Sequence, residues 1–153
     1  MNAASASGSP AMAGVSPTFS LTSRVYWEDT DAGGVVYHAS YVRFLERART
    51  EWLRAAGYDQ TRLRAEGGLL LVVRAMRLDF LAPARLDDLL TVTVNPVDAK
   101  GAGLRCRQSV RHDERLLLTA EVEVACLRAH DFRPTRIPAG LLADLLSNPG
   151  APC

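Results

Sequence analysis

Within the segment Asp31-Ala32-Gly33-Gly34-Val35-Val36-Tyr37-His38, an acid, two glycines and the start of a helical pattern fall within eight residues. Asp31 is of a type that serves as nucleophile or general base. Gly33 and Gly34 allow backbone angles closed to other residues and let a ligand come close to the main chain. His38, Ala39 and Ser40 open a helix, whose first amides lack partners inside the helix and carry the positive end of its dipole. A carboxylate on one side of a carbonyl and free N–H donors on the other are the minimum for acyl transfer. The same residues also fit an Asx turn and a simple chain reversal, and His38 fits a residue that packs or caps at a helix start. Spacing alone leaves both readings open, and it does not exclude Asp29 as the acid.

Other chemistries are missing from the string. There is no Gly-x-Ser-x-Gly elbow, no phosphate-binding loop ending in Lys-Ser/Thr and no His-Glu-x-x-His. Cys126 and His130 stand four apart at a strand end, where that spacing does not bring them to one face, so no metal site is expected. Cys106, Cys126 and Cys153 are an odd number without a close pair, which fits a reducing compartment and a cytoplasmic protein. With 18 basic against 17 acidic residues there is no global field for nucleic acid, and no apolar run is long enough to span a membrane. A small-molecule partner is favoured.

The elements that must hold these residues are legible in the hydropathy pattern. Residues 1–18 and 147–153 carry no charge and are rich in small and turn-forming types, which predicts flexible tails around one domain at 19–146. Phe19 to Trp27 reads as a strand. From Ser40 to Ala56 the residues Tyr41, Leu45, Ala48 and Trp52 recur at helical spacing, with Ser40 as N-cap and Gly57 as terminator. A short helical stretch at Asp59 to Glu66 precedes four strand-like runs: Leu69 to Phe80, Leu89 to Val94, Leu104 to Arg111 and Arg115 to Leu127. In the third run Leu104, Cys106, Gln108 and Val110 alternate with Arg105, Arg107, Ser109 and Arg111; in the fourth Leu118, Ala120, Val122 and Val124 alternate with Thr119, Glu121 and Glu123. About five strands joined by hairpin-length turns and one long helix predict an α+β domain with an antiparallel sheet. One helix covers only part of such a sheet, and the runs Leu69 to Val73 and Leu116 to Leu118 are more apolar than a half-wet strand requires, so a homo-oligomer is expected.

Taken as a string, Val25 to His38, then Tyr41, Phe44, Glu46-Arg47-Ala48-Arg49 and Trp52-Leu53, closely resembles the opening of the Tol-Pal-associated acyl-CoA thioesterases, in the 4-hydroxybenzoyl-CoA thioesterase branch of the hot-dog superfamily. Phe80, Pro83 to Leu90, Val124 to Leu127, Arg133-Pro134 and Ile137-Pro138 continue the likeness in register. The resemblance implies a hot-dog fold, a sheet wrapped around a long central helix, with active sites at a dimer interface and dimers able to form tetramers. It implies acyl-CoA hydrolysis without a cofactor, with Asp31 rather than Asp29 attacking the thioester or activating water. It also implies that the main-chain N–H at His38 polarises the carbonyl.

Two departures stand out. Ser40 replaces the Asn or Arg of many relatives, and Ala32-Gly33-Gly34 replaces the Pro-Ala-Gly of the aromatic-substrate branch, which points to aliphatic acyl groups. Glu46 lies inside the resembling string but reads more simply as a helix-surface or inter-subunit ion pair. Because coenzyme A carries phosphates, Lys100, Arg105 and Arg107 are candidate CoA-binding residues. An acyl carrier protein could present the same thioester. Rival readings are a hot-dog dehydratase acting on carrier-bound 3-hydroxyacyl groups and a non-catalytic acyl-CoA or acyl-carrier binding module.

Overall fold

The computed structural model describes residues 19–147; the expected tail at 1–18, and all but Ser147 of that at 147–153, lie outside the described residues. The chain runs β1 (Phe19–Arg24), α1 (His38–Ala55), α2 (Gln60–Gly67), β2 (Leu69–Phe80), β3 (Leu89–Lys100), β4 (Gly103–His112), β5 (Arg115–Arg128) and α3 (Ala139–Ser147). The strands form one sheet in the order β1-β3-β4-β5-β2, every pairing antiparallel. This is the α+β architecture that the alternation predicted.

Cross-strand register explains why one face is dry. Val92 opposes Val110, which opposes Leu118; Val94 opposes Gln108, which opposes Ala120. Opposed residues share a face, so a single dry row of side chains, apolar except for Gln108, runs across three strands. Helix α1 lies on that row with Tyr41, Phe44, Leu45, Ala48, Trp52 and Leu53 buried. Phe44 is wholly inaccessible, and burial of that ring is worth about 3 kcal/mol. Cys106 belongs to the same row, and burial pushes its thiol up to about 12, so it is a core residue rather than a nucleophile.

Three boundaries differ from the sequence pattern. Strand β1 stops at Arg24 because the chain folds into a single 3-10 turn at Trp27–Asp29, where the Asp29 carboxylate accepts the Tyr26 amide at 2.9 Å. Strand β3 runs six residues beyond Val94, through Pro96. Proline reads as a stop, yet β1 pairs only with Leu89 to Val94, so the edge facing β1 is open by Pro96 and its missing N–H breaks no ladder there.

The third difference corrects the helix cap. Helix α1 begins at His38, with Tyr37 as N-cap and no side-chain cap, while Ser40 is buried inside the first turn. Tertiary anchoring replaces the cap: the Tyr37 N–H donates to Asp29 O at 2.8 Å and the Ser40 N–H to Tyr37 O at 2.8 Å. At the far end Gly57, with φ of 92°, ends the helix as expected. Helix α3, which the sequence pattern did not single out, buries Leu141 and Leu145 against the core.

Candidate active site

The segment from Thr30 to Val36 folds into a tight hairpin. Thr30 bridges Val36, the Asp31 N–H donates to Val35 O at 2.9 Å, and the Gly34 N–H donates to Asp31 O at 3.0 Å. The Asp31 carboxylate is exposed at its tip, where Oδ1 accepts the Gly33 N–H at 2.8 Å. That is an Asx turn, and it occupies only one oxygen; Oδ2 has no hydrogen bond among the described residues. Asp29 is different. It is 2% exposed and its carboxylate is held by the Tyr26 amide, so it shapes the turn and is closed to solvent.

The two glycines do separate jobs. Gly34 has φ of 76°, in the left-handed region, with open space where a Cβ would stand. A Cβ on Gly33 would instead stand 3.1 Å from Asp31 Oδ1. We therefore expect Gly33→Ala to displace the carboxylate and lower turnover by about tenfold, with little change in thermal stability. Gly34→Ala should instead lower stability by about 1 kcal/mol through strain, with the smaller effect on turnover. Thiol-release kinetics and thermal melts of the two variants check both.

The hairpin leads directly into α1. No side chain caps the helix and its first turn carries no acid, so the amides of His38 and Ala39 are left for a ligand and the positive end of the dipole is uncompensated. The His38 imidazole is exposed, tilted against Tyr37 at 4.4 Å between centroids, and makes no hydrogen bond among the described residues. Asp31 and His38 line one open groove of about 430 Å³ together with Val35, Tyr41, Phe80 and Leu81. Apart from the candidate acid, the imidazole and Tyr41, whose hydroxyl is turned to a buried hydrogen bond with the Ala84 N–H, its lining side chains are apolar, which suits an acyl group.

The three candidate CoA-binding cations lie elsewhere in the fold. Lys100 and Arg105 line a second groove with Arg74, and Arg107 lines a third with Arg77. Arg105 stands 3.8 Å from Asp98 and Arg107 3.4 Å from Glu121, cross-strand pairs on the face of the sheet away from α1. The fold of the chain thus does not bring them to Asp31. Among the described residues no cluster of three or more His, Cys, Asp or Glu could hold a metal ion, and no helix is long and apolar enough to cross a membrane.

A family model described as the thioesterase-like superfamily matches residues 25–145. The chain belongs to this superfamily. It is 47% identical over 122 residues to the acyl-CoA thioester hydrolase YbgC of Escherichia coli O157:H7, covering 79% of this chain and 90% of that one. Against the acyl-CoA thioesterase YbgC of Haemophilus influenzae the identity is 44% over 120 residues, 78% of this chain and 88% of the other. Among solved structures, a probable thioesterase from Bartonella henselae superposes with a TM-score of 0.76 at 41% identity, over 79% of this chain and 99% of that one. A 4-hydroxybenzoyl-CoA thioesterase variant in complex with 4-hydroxybenzoyl-CoA superposes with a TM-score of 0.78, over 85% of this chain and 99% of its own. At 19% identity that likeness shows the fold alone, and the fold is the hot-dog.

Sequence reasoning overlooked two members of the groove in this thioesterase-like chain. Tyr41 is visible in the pattern only as an apolar helix position, although a buried tyrosine needs a partner for its hydroxyl, and that need is the available signal. Phe80 reads as the end of a strand and as part of the family likeness, not as a groove residue. Its ring stands edge-on to Tyr41 at 5.7 Å and its outer side is exposed to the groove.

Proposed function

We propose that this protein hydrolyses acyl-CoA thioesters to the free acid and CoA, with Asp31 as the catalytic carboxylate and the amides at the start of α1 as the oxyanion donors. The observation that carries this reading is the pairing of a carboxylate whose Oδ2 is free with an uncapped helix N-terminus along one apolar groove. The 47% identity to an acyl-CoA thioester hydrolase supports the choice of substrate class.

Two routes use the same atoms. In the first, an Asp31 oxygen attacks the thioester carbon, the carbon–sulfur bond breaks, CoA leaves as thiolate and is protonated, and water then cleaves the mixed anhydride to regenerate the carboxylate. In the second, Asp31 takes a proton from a water that attacks directly. In both, negative charge gathers on the carbonyl oxygen, and the helix N-terminus is suited to stabilise it. The His38 imidazole lines the groove and contributes to catalysis in this reading, as a separate element from its amide. Neither route calls on a metal or a redox cofactor.

The groove is open on one side, and the sheet suggests what covers it. Strand β2 is a twelve-residue edge strand, and on the face turned to α1 its Phe80 and Val73 remain 53% and 40% exposed. A long apolar edge invites pairing, and a second copy completes the site in this reading, as a dimer or a tetramer. The Lys100, Arg105 and Arg107 side chains of such an assembly are the proposed contacts for the CoA phosphates.

Free thiol released from a panel of short, long and aromatic acyl-CoAs, with one acyl carrier protein thioester, tests the proposal. Turnover of at least one substrate, fastest on aliphatic acyl groups, is expected. Formation of an enoyl product from a 3-hydroxyacyl thioester without thiol release, or tight binding with no turnover of any substrate, overturns it.

A further inference from the structure

Ala84 is wholly buried and uses both of its backbone polar groups to join the two elements that flank Asp31. Its C=O accepts the Val36 N–H at 2.9 Å, which holds the base of the Asp31 hairpin, and the next residue, Arg85, bridges Val35. Its N–H donates to the Tyr41 hydroxyl at 3.0 Å. Tyr41 lies in the first turn of α1, so the chain of contacts runs from the Asp31 hairpin through Ala84 to the helix that begins at His38.

We propose that Tyr41 is a positioning residue for thioester hydrolysis, its hydroxyl acting through Ala84 to fix the Asp31 hairpin against the N-terminus of α1. The inference rests on Asp31 being the catalytic carboxylate. Phenylalanine would fill the same space, so what tyrosine adds is the oxygen that accepts the Ala84 N–H. The ring has little freedom to move, being 3% exposed and edge-on to Phe44 at 6.1 Å and to Phe80 at 5.7 Å. Burial raises the phenol above its ordinary pKa; the Ala84 N–H lowers it and the Asp88 charge raises it further, so the net shift is upward and the hydroxyl is neutral around pH 7. Acyl transfer tolerates little error in the placement of nucleophile against oxyanion donor, since a shift of about 1 Å can lower a rate about a hundredfold. A side chain that sets that spacing therefore acts on the chemical step and not on substrate affinity.

The test is Tyr41→Phe in the full chain, with Leu53→Ala as a variant that loosens the same core about three turns further along α1. With the acyl-CoA that the unaltered protein turns over fastest, Tyr41→Phe is expected to lower kcat by about tenfold to a hundredfold and to leave KM within about twofold. Hydrogen exchange, which needs no substrate, should show the Val36 and Ala84 amides opening at least about tenfold more often, with the amides of Ala48 to Leu53 unchanged. An unchanged kcat, unchanged exchange at Val36 and Ala84, or an equal loss of kcat in Leu53→Ala at the same melting temperature overturns the proposal. Failure of the Asp31 assignment has a different signature: Asp31→Asn at the full rate, whatever Tyr41→Phe does to exchange.

Discussion

Asp31→Asn is expected to lower acyl-CoA hydrolysis by about 10³-fold or more, read as free thiol, while leaving the melting temperature and the oligomeric state as they were. The structure separates the two effects. The Asp31 side chain is exposed, and its one hydrogen bond among the described residues, from the Gly33 N–H to Oδ1, survives with an amide oxygen in the same place. What asparagine lacks is the charged oxygen that attacks the thioester or takes a proton from water. Asp29→Asn supplies the opposite pattern. That side chain is buried and holds the Tyr26 amide, so its replacement should lower stability by about 1–3 kcal/mol and spare turnover in the fraction that folds. Normal turnover in Asp31→Asn together with loss in Asp29→Asn would transfer the catalytic assignment from one acid to the other.

That contrast also marks how far the sequence reaches. Glu28-Asp29-Thr30-Asp31 presents its two aspartates two apart, and spacing cannot rank them because what separates them is the 3-10 turn at Trp27–Asp29. The turn draws one carboxylate inward to a backbone amide and leaves the other at a hairpin tip. Strand β4 was fully legible, since alternation is a local property and Leu104, Cys106, Gln108 and Val110 do face the helix. The start of α1 was legible at His38 but its cap was not. Ser40 has the right chemistry for a cap, yet the helix is already under way when the chain reaches it. The Tyr37 N–H donates to Asp29 O across the base of the hairpin, and that contact, which no helical pattern encodes, fixes the start at His38. The groove was legible only in part, because Phe80 reaches it through sheet pairing, and Ala84 ties Tyr41 to the hairpin through long-range hydrogen bonds, neither of which a local pattern encodes.

Glu46 is expected to matter more to stability than the buried arginine it pairs with. Arg49 is 8% exposed, beneath α1, where Nη1 donates to Gln108 Oε1 at 2.7 Å and Nη2 to Glu46 Oε2. Gln108 is the polar member of the dry row, and its Nε2 donates to Leu45 O at 3.1 Å and Thr93 O at 3.2 Å. The Glu46 side chain is 54% exposed and would ordinarily be counted as a surface charge of little worth. Here it is the countercharge of a guanidinium that water barely reaches. Glu46→Ala leaves that charge with a neutral acceptor only, which should lower stability by about 3 kcal/mol, a fall of about 6–12 °C in melting temperature. Arg49→Met removes the charge, keeps most of the buried stem volume, releases Glu46 to water and orphans only Gln108 Oε1, so about 1–2 kcal/mol is expected. In the Arg49→Met background Glu46→Ala should then add almost nothing, because no buried charge remains to be compensated. Urea denaturation of the two single variants and the double variant measures all three terms. A loss of about 0.5 kcal/mol or less for Glu46→Ala would mean that solvent, not Glu46, screens the guanidinium, and the pair would then be an ordinary surface contact.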